Sequence, residues 1–137
     1  IEEYLQQYRG EGIQHIAMGA VDLHETIETL LTRGVEFMPA PNPVYYARVD
    51  QRLPGHGEDL ERLQRNGVLI DGEGVVDGGT TKVLLQRFGK TEIGPIFFEF
   101  IQRKGDEGFG EGNFKALFES IEQDQIQRGV LQVEERS

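Results

Sequence analysis

With 137 residues, 37% hydrophobic content, 18 Gly and 5 Pro, the chain is long enough for one turn-rich α+β domain with its own core, and it is a poor match to a helix bundle. A formal net charge of -10 argues against nucleic acid or an anionic membrane as a partner, and the absence of Cys excludes a disulfide scaffold, a zinc ribbon and a thiol nucleophile. No apolar run reaches the length of a membrane span and no signal peptide opens the chain, so a soluble cytoplasmic protein is expected.

In chain order, residues 1–8 read as a helix already under way, with Ile1, Leu5 and Tyr8 on one face and no initiator Met; this predicts a piece of something longer. Residues 12–18 read as a strand whose alternation sets Ile13, His15 and Ala17 on one face and Gln14, Ile16 and Met18 on the other. Asp22 then reads as an N-cap, Leu23, Ile27, Leu30 and Leu31 as a helical stripe, and Gly34 as its stop. A short strand over 35–38 is closed by the Pro-rich turn 39–43. The segment 45–52 is compatible with helix or strand, 53–57 is a turn, and 58–66 is a short helix ended by Gly67.

A strand over 68–71, a Gly-rich hairpin connection over 72–80 and a strand over 82–88 follow, the last with Leu84, Gln86 and Phe88 on one face. In 95–103, Phe97, Glu99, Ile101 and Arg103 share a face. The Gly-rich loop 105–112 leads to Asn113, which caps a last helix carrying Phe114, Leu117, Phe118 and Ile121 on one stripe. The polar tail after Gly129 is expected to fray. The outline is βαβββ with a C-terminal capping helix.

Glu99 is the anomaly in this pattern. It stands among Ile96, Phe97, Phe98 and Phe100, and a buried carboxylate needs a cation or another partner. Alone, it reads equally as an acid paired with Arg or Lys. His15, inside a short apolar strand, reads alone as a core imidazole with a satisfied hydrogen bond. Together they make two thirds of the 2-His-1-carboxylate triad that holds non-haem Fe(II) with open positions. His24 on the first long helix and His56 in the Pro/Gly turn read as surface residues. Gly105 to Gly112 lacks the Lys-Ser/Thr ending of a phosphate loop and carries three acids, so a nucleotide cradle is rejected; a flexible loop or a lid bearing Phe109 remains. Gln86, if buried, must bond backbone or face a polar ligand.

The segments GPIFFEFIQRKG (94–105) and GFGEGNFKALFESIE (108–122), with GEGIQHIA (10–17), RLPGHG (52–57) and GVLIDG (67–72), resemble the C-terminal end of 4-hydroxyphenylpyruvate dioxygenases, in the same order and over essentially the whole chain. The resemblance implies a vicinal-oxygen-chelate fold of βαβββ modules. Residues 1–137 would form the C-terminal half of the catalytic domain, half of a metal-binding barrel. It also implies a reaction, the Fe(II)-dependent conversion of 4-hydroxyphenylpyruvate and O2 to homogentisate and CO2 in tyrosine catabolism, with the substrate's own 2-oxo acid chelating the iron.

Carried over by residue, the family's second His ligand falls on His15 and its carboxylate ligand on Glu99. Gln86, Phe88 and Gln14 match substrate-site positions, although strand parity sets Gln14 opposite His15. Phe109, Asn113, Phe114 and Phe118 match the loop and closing helix over the site. Shared strand faces together with the resemblance add Phe97 to the cavity wall. The family's first His ligand lies upstream of Ile1, and neither His24 nor His56 matches it. The chain alone is therefore expected to be inactive, or completed by a second copy, and an exposed half-barrel edge favours a homo-oligomer. The alternatives are a non-catalytic half-module and a hydroxymandelate synthase, which shares substrate and ligands. Residues 113–118 look more like the dioxygenase.

Overall fold

A computed structural model describes residues 1–75 and 81–129. Helix α1 (Glu2–Tyr8) precedes strand β1 (His15–Gly19), and α2 (Leu23–Thr32) follows. Two short helices, α3 (Pro43–Ala47) and α4 (Val49–Arg52), lead to α5 (Leu60–Asn66). Strands β2 (Leu69–Val75), β3 (Thr81–Phe88) and β4 (Phe97–Lys104) come next, then α6 (Phe114–Gln127). The sheet order is β1-β4-β3-β2, with β1 parallel to β4 and the other pairs antiparallel. The βαβββ order expected from the pattern is thus realised by β1, α2, β2, β3 and β4, with β4 returning beside β1.

Both faces of the sheet are covered, which is why β3 is buried at every position from Val83 to Phe88. On one face, Val83, Leu85 and Ile70 pack with Leu23 and Ile27 of α2 and Leu63 of α5. On the other, Leu69, Phe88 and Phe97 pack with Tyr4 of α1 and Leu117 and Ile121 of α6. The helix ends follow local chemistry. Asp22 accepts from Glu25 N at 3.1 Å, Asp59 accepts from Glu61 N at 3.0 Å, and Gly67 ends α5 at φ 65°.

Several expectations change. The strand begins at His15 rather than 12, because Tyr8 packs over Gly12 and its hydroxyl donates to Ile13 O, so Ile13 is left exposed. The 35–38 strand reduces to one bridge, Phe37 with Gly89, since Pro39 cuts the run. The 45–52 segment is helical, started by the Asn42 side chain accepting from Tyr45 N and by Pro43 in the first turn. The 58–66 helix begins at Leu60 and the 68–71 strand extends to Val75, while the rest of the hairpin connection, 76–80, and the tail from 130 lie outside the described residues. His24 is buried rather than exposed, bonded through Nδ1 to the Asn66 amide at 3.1 Å, because α5 covers that side of α2. His56 pairs with Asp50 at 2.6 Å. Among the described residues no helix is long and apolar enough to cross a membrane.

Candidate metal and substrate site

Strand register builds the site. His15 lies opposite Phe97 and Ala17 opposite Glu99 in the parallel β1–β4 pair, while Phe88 lies opposite Glu99 in the antiparallel β3–β4 pair. Paired residues share a face, so His15, Ala17, Glu99, Phe88 and Gln86 all project to the side covered by α6. The small Ala17 beside Glu99 leaves room for the imidazole to reach it. His15 Nε2 lies 2.9 Å from Glu99 Oε2.

The surroundings of this pair are polar but uncharged. Glu99 is 4% exposed, and its Oε1 accepts from Gln86 Nε2 at 2.9 Å. Gln86 Nε2 also donates to Phe109 O at 2.9 Å, and Gln86 Oε1 accepts from Asn113 Nδ2 at 2.7 Å. No Lys or Arg pairs with Glu99 among the described residues, so the ordinary reading of a buried acid with a basic partner fails. With the Gln14 amide oxygen 3.1 Å from His15 Nδ1, both ring nitrogens face acceptors. A neutral imidazole has one N–H. The Nε2–Oε2 contact is served by one proton shared between the two atoms, or by a cation held between them. The 2.9 Å separation is that of a hydrogen bond, and it also sets an imidazole nitrogen and a carboxylate oxygen where one cation could take both as ligands.

The pair opens into a cavity of about 320 Å³ lined by His15, Ala17, Gln86, Phe88, Glu99, Phe109, Gly110, Asn113, Phe114 and Leu117. Convergent polar groups on one wall and apolar side chains on the others are the mark of a small-molecule site. A wider hollow of about 620 Å³ lies between β1 and α2, lined by Met18, Val21, Asp22, Glu25, Thr26 and Phe100, but Asp22 and Thr26 are engaged in the first turn of α2. Gly110, at φ 76°, passes directly over the Gln86 amide, where a Cβ would overlap it.

Of the residues expected from sequence, His15, Glu99, Gln86, Phe88, Phe109, Asn113 and Phe114 meet at the cavity. Three expected residues do not line it. Phe97 is fully buried beneath the imidazole, stacked at 5.3 Å and 21°, because the His15 row covers it. Gln14 touches His15 Nδ1 from behind, as parity foretold. Phe118 lies on the exposed side of α6, 49% accessible. Asn113 is not a side-chain cap for α6, since both ends of its amide are taken by Tyr45 and Gln86. Sequence reasoning missed Ala17, Gly110 and Leu117 as lining residues, and Tyr45 as the partner of Asn113. Ala17 shares the strand face of His15 and Leu117 the stripe of the last helix, so a local signal existed for these two, whereas none pointed to Tyr45.

No protein-family model matches the chain. It is 60% identical over 131 residues to Hemolysin VllY of Vibrio vulnificus (strain CMCP6), covering 96% of this chain and 35% of that protein. It is 58% identical over 131 residues to the 4-hydroxyphenylpyruvate dioxygenase of Pseudomonas aeruginosa, again covering 96% of this chain and 35% of the relative. Over nearly its whole length the chain is homologous to proteins named 4-hydroxyphenylpyruvate dioxygenase. It spans about a third of the length of the curated relatives it matches. A mutant of 4-hydroxymandelate synthase from Streptomyces coelicolor superposes with a TM-score of 0.70 at 32% identity, over 90% of this chain and 34% of that one. The fold of the chain is the vicinal-oxygen-chelate type.

Proposed function

We propose that residues 1–137 carry part of the active site of a non-haem Fe(II) dioxygenase converting 4-hydroxyphenylpyruvate and O2 to homogentisate and CO2. The carrying observation is the approach of His15 Nε2 to Glu99 Oε2 in a cavity where, among the described residues, no Lys or Arg pairs with the acid. Imidazole nitrogen and carboxylate oxygen suit non-haem iron. Fe(II), when bound, supplies the redox chemistry with O2 and a Lewis-acid centre for the 2-oxo acid.

The chain's own groups do the rest. Gln14 holds the imidazole through Nδ1 and leaves Nε2 for the ion, and Gln86 fixes one carboxylate oxygen so that the other faces His15. Phe88, Phe109, Phe114 and Leu117 offer apolar walls for a phenyl ring and exclude water from it. No group of three His, Asp or Glu assembles among the described residues, and the chain's other two His are engaged elsewhere, His24 with Asn66 and His56 with Asp50, so we place the third ligand, a His by the family resemblance, on a longer chain or a second copy. A soluble cytoplasmic homo-oligomer is part of the same reading; it rests on the acidic, Cys-free composition and the uncovered outer edge of β1.

Oxygen uptake and product analysis with 4-hydroxyphenylpyruvate and Fe(II), run beside sizing chromatography, test this. The isolated 137-residue chain as a monomer is expected to form no homogentisate, whereas a protein of the relatives' full length is expected to turn over. Rapid turnover by the monomeric chain would place all three ligands within it and overturn the split site. The superposition on hydroxymandelate synthase favours a second reading, hydroxylation of the side chain instead of the ring, and the identity of the product separates the two.

Phe114 tests the apolar wall. It is 48% exposed, so truncation removes little of the core. In the full-length protein Phe114→Ala is expected to raise KM about two- to tenfold, the worth of one aromatic contact at ~0.5–1.5 kcal/mol, with a nearly unchanged Tm. Wild-type kinetics in this variant would remove α6 from the site.

A further inference from the structure

We propose that Tyr45 is a positioning residue for Glu99, acting through a one-directional relay of side-chain hydrogen bonds that runs Tyr45, Asn113, Gln86, Glu99. The inference rests on the reading of Glu99 as a metal ligand.

Tyr45 stands on α3 and does not line the cavity. Its hydroxyl accepts from Ile70 N at 2.9 Å and from Arg52 Nη2 at 3.2 Å. It has one proton to give and two acceptors in reach, Asn113 Oδ1 at 2.6 Å and Ile70 O at 3.0 Å. Ile70 O is already served by Arg52 Nη2 at 2.6 Å, so the shorter bond to Asn113 takes the proton. Asn113 must then present Oδ1 to Tyr45 and Nδ2 to Gln86 Oε1, which leaves Gln86 Nε2 for Glu99 and Phe109 O. Reversing Gln86 would set its oxygen against the Glu99 carboxylate and the Phe109 carbonyl, three acceptors with no proton among them.

Both amide links are buried. Asn113 is 1% exposed and Gln86 2%, so neither amide has solvent to satisfy it in the reversed orientation. Burial also pushes the Tyr45 phenol up, which keeps it a donor, while the Arg52 guanidinium over its ring strengthens that O–H. The relay thus converts a hydroxyl three hydrogen bonds away into a fixed direction for the Glu99 carboxylate. Tyr45→Phe keeps the ring and removes the source of that direction.

The test uses the full-length, metal-free protein titrated with Mn(II), a redox-inert stand-in for Fe(II), with Tm measured alongside. Tyr45→Phe is expected to weaken Mn(II) binding about tenfold, the lower end of what an outer partner of a metal ligand contributes. In an Asn113→Ala background, where the relay is already cut, the same substitution is expected to change affinity less than about twofold. Its Tm loss, from the bond to Ile70 N, persists in both backgrounds. Equal affinity losses in both backgrounds, or none in either, would overturn the relay. Should Tyr45→Phe fail to fold, Asn113→Ala alone must weaken Mn(II) binding about tenfold, and wild-type affinity in it overturns the relay as well. Glu99→Gln separates the two layers. If it leaves Mn(II) affinity intact, the metal reading falls and the relay with it; if it destroys affinity while Tyr45→Phe does not, only the relay falls.

Discussion

In the full-length protein, Glu99→Gln is expected to weaken Fe(II) binding by more than about 100-fold and to abolish turnover while the fold persists. Changing a residue that merely orients a ligand costs 10–100-fold in affinity. Removing the anionic ligand itself should exceed that, because a neutral amide is a poor donor to a hard cation. The fold persists because the replacement amide finds partners. Its oxygen takes the place of Oε1, accepting from Gln86 Nε2, and its NH2 faces His15 Nε2 where Oε2 stood 2.9 Å away. A neutral imidazole accepts that bond without a second proton. The neutral amide is also spared the desolvation cost that a buried carboxylate carries. The metal-free variant is therefore expected to have a Tm at or above that of the metal-free parent. An anaerobic Fe(II) titration with a thermal melt of the same sample decides it, and parent-like iron affinity would strip Glu99 of its role as a ligand.

What could be read in the sequence was whatever repeats locally. Alternation in 82–88 and 95–103 set Gln86, Phe88 and Glu99 on faces that the β3–β4 register then brought together. The mismatch of an acid among aromatics singled out Glu99 before any partner was known. Parity also separated Gln14 from His15, and the structure keeps Gln14 out of the cavity, although its amide still reaches the ring from behind.

Depth and long-range company were not legible. Alternation says which face Phe97 occupies but not that His15 lies over it. A helical stripe groups Phe114, Leu117, Phe118 and Ile121, yet only Leu117 and Ile121 are buried, since α6 rests on the sheet along one flank and leaves the other open. Asn113 before a helix has the local form of a cap. Its true partners, Tyr45 and Gln86, lie 68 and 27 residues away in sequence, and no local rule points to them. His24 misled for the same reason, as α5 and Asn66 that cover it lie far along the chain.

Phe97→Ala is expected to destabilise the protein by ~3–5 kcal/mol, the range for truncating a buried aromatic, against a total stability of ~5–15 kcal/mol for a typical domain. Phe97 has 0% exposure and sits in the cluster that joins α1 and α6 to the sheet through Tyr4, Leu117 and Ile121. It packs edge-on to Phe88 at 6.0 Å and 86° and supports the His15 ring from below. A void there takes contacts from both helices and lets the imidazole tilt away from Glu99. Phe97→Leu refills most of the void and should cost only ~1–2 kcal/mol, but it offers the imidazole no flat surface. That variant is expected to fold and to bind Fe(II) several-fold more weakly. Urea denaturation midpoints for both variants, with an Fe(II) titration on Phe97→Leu, check the argument. A residue that touched substrate would behave differently, raising KM on truncation with little loss of stability. A Phe97→Ala protein with the parent's midpoint and a raised KM would return Phe97 to the cavity wall and refute its place beneath His15.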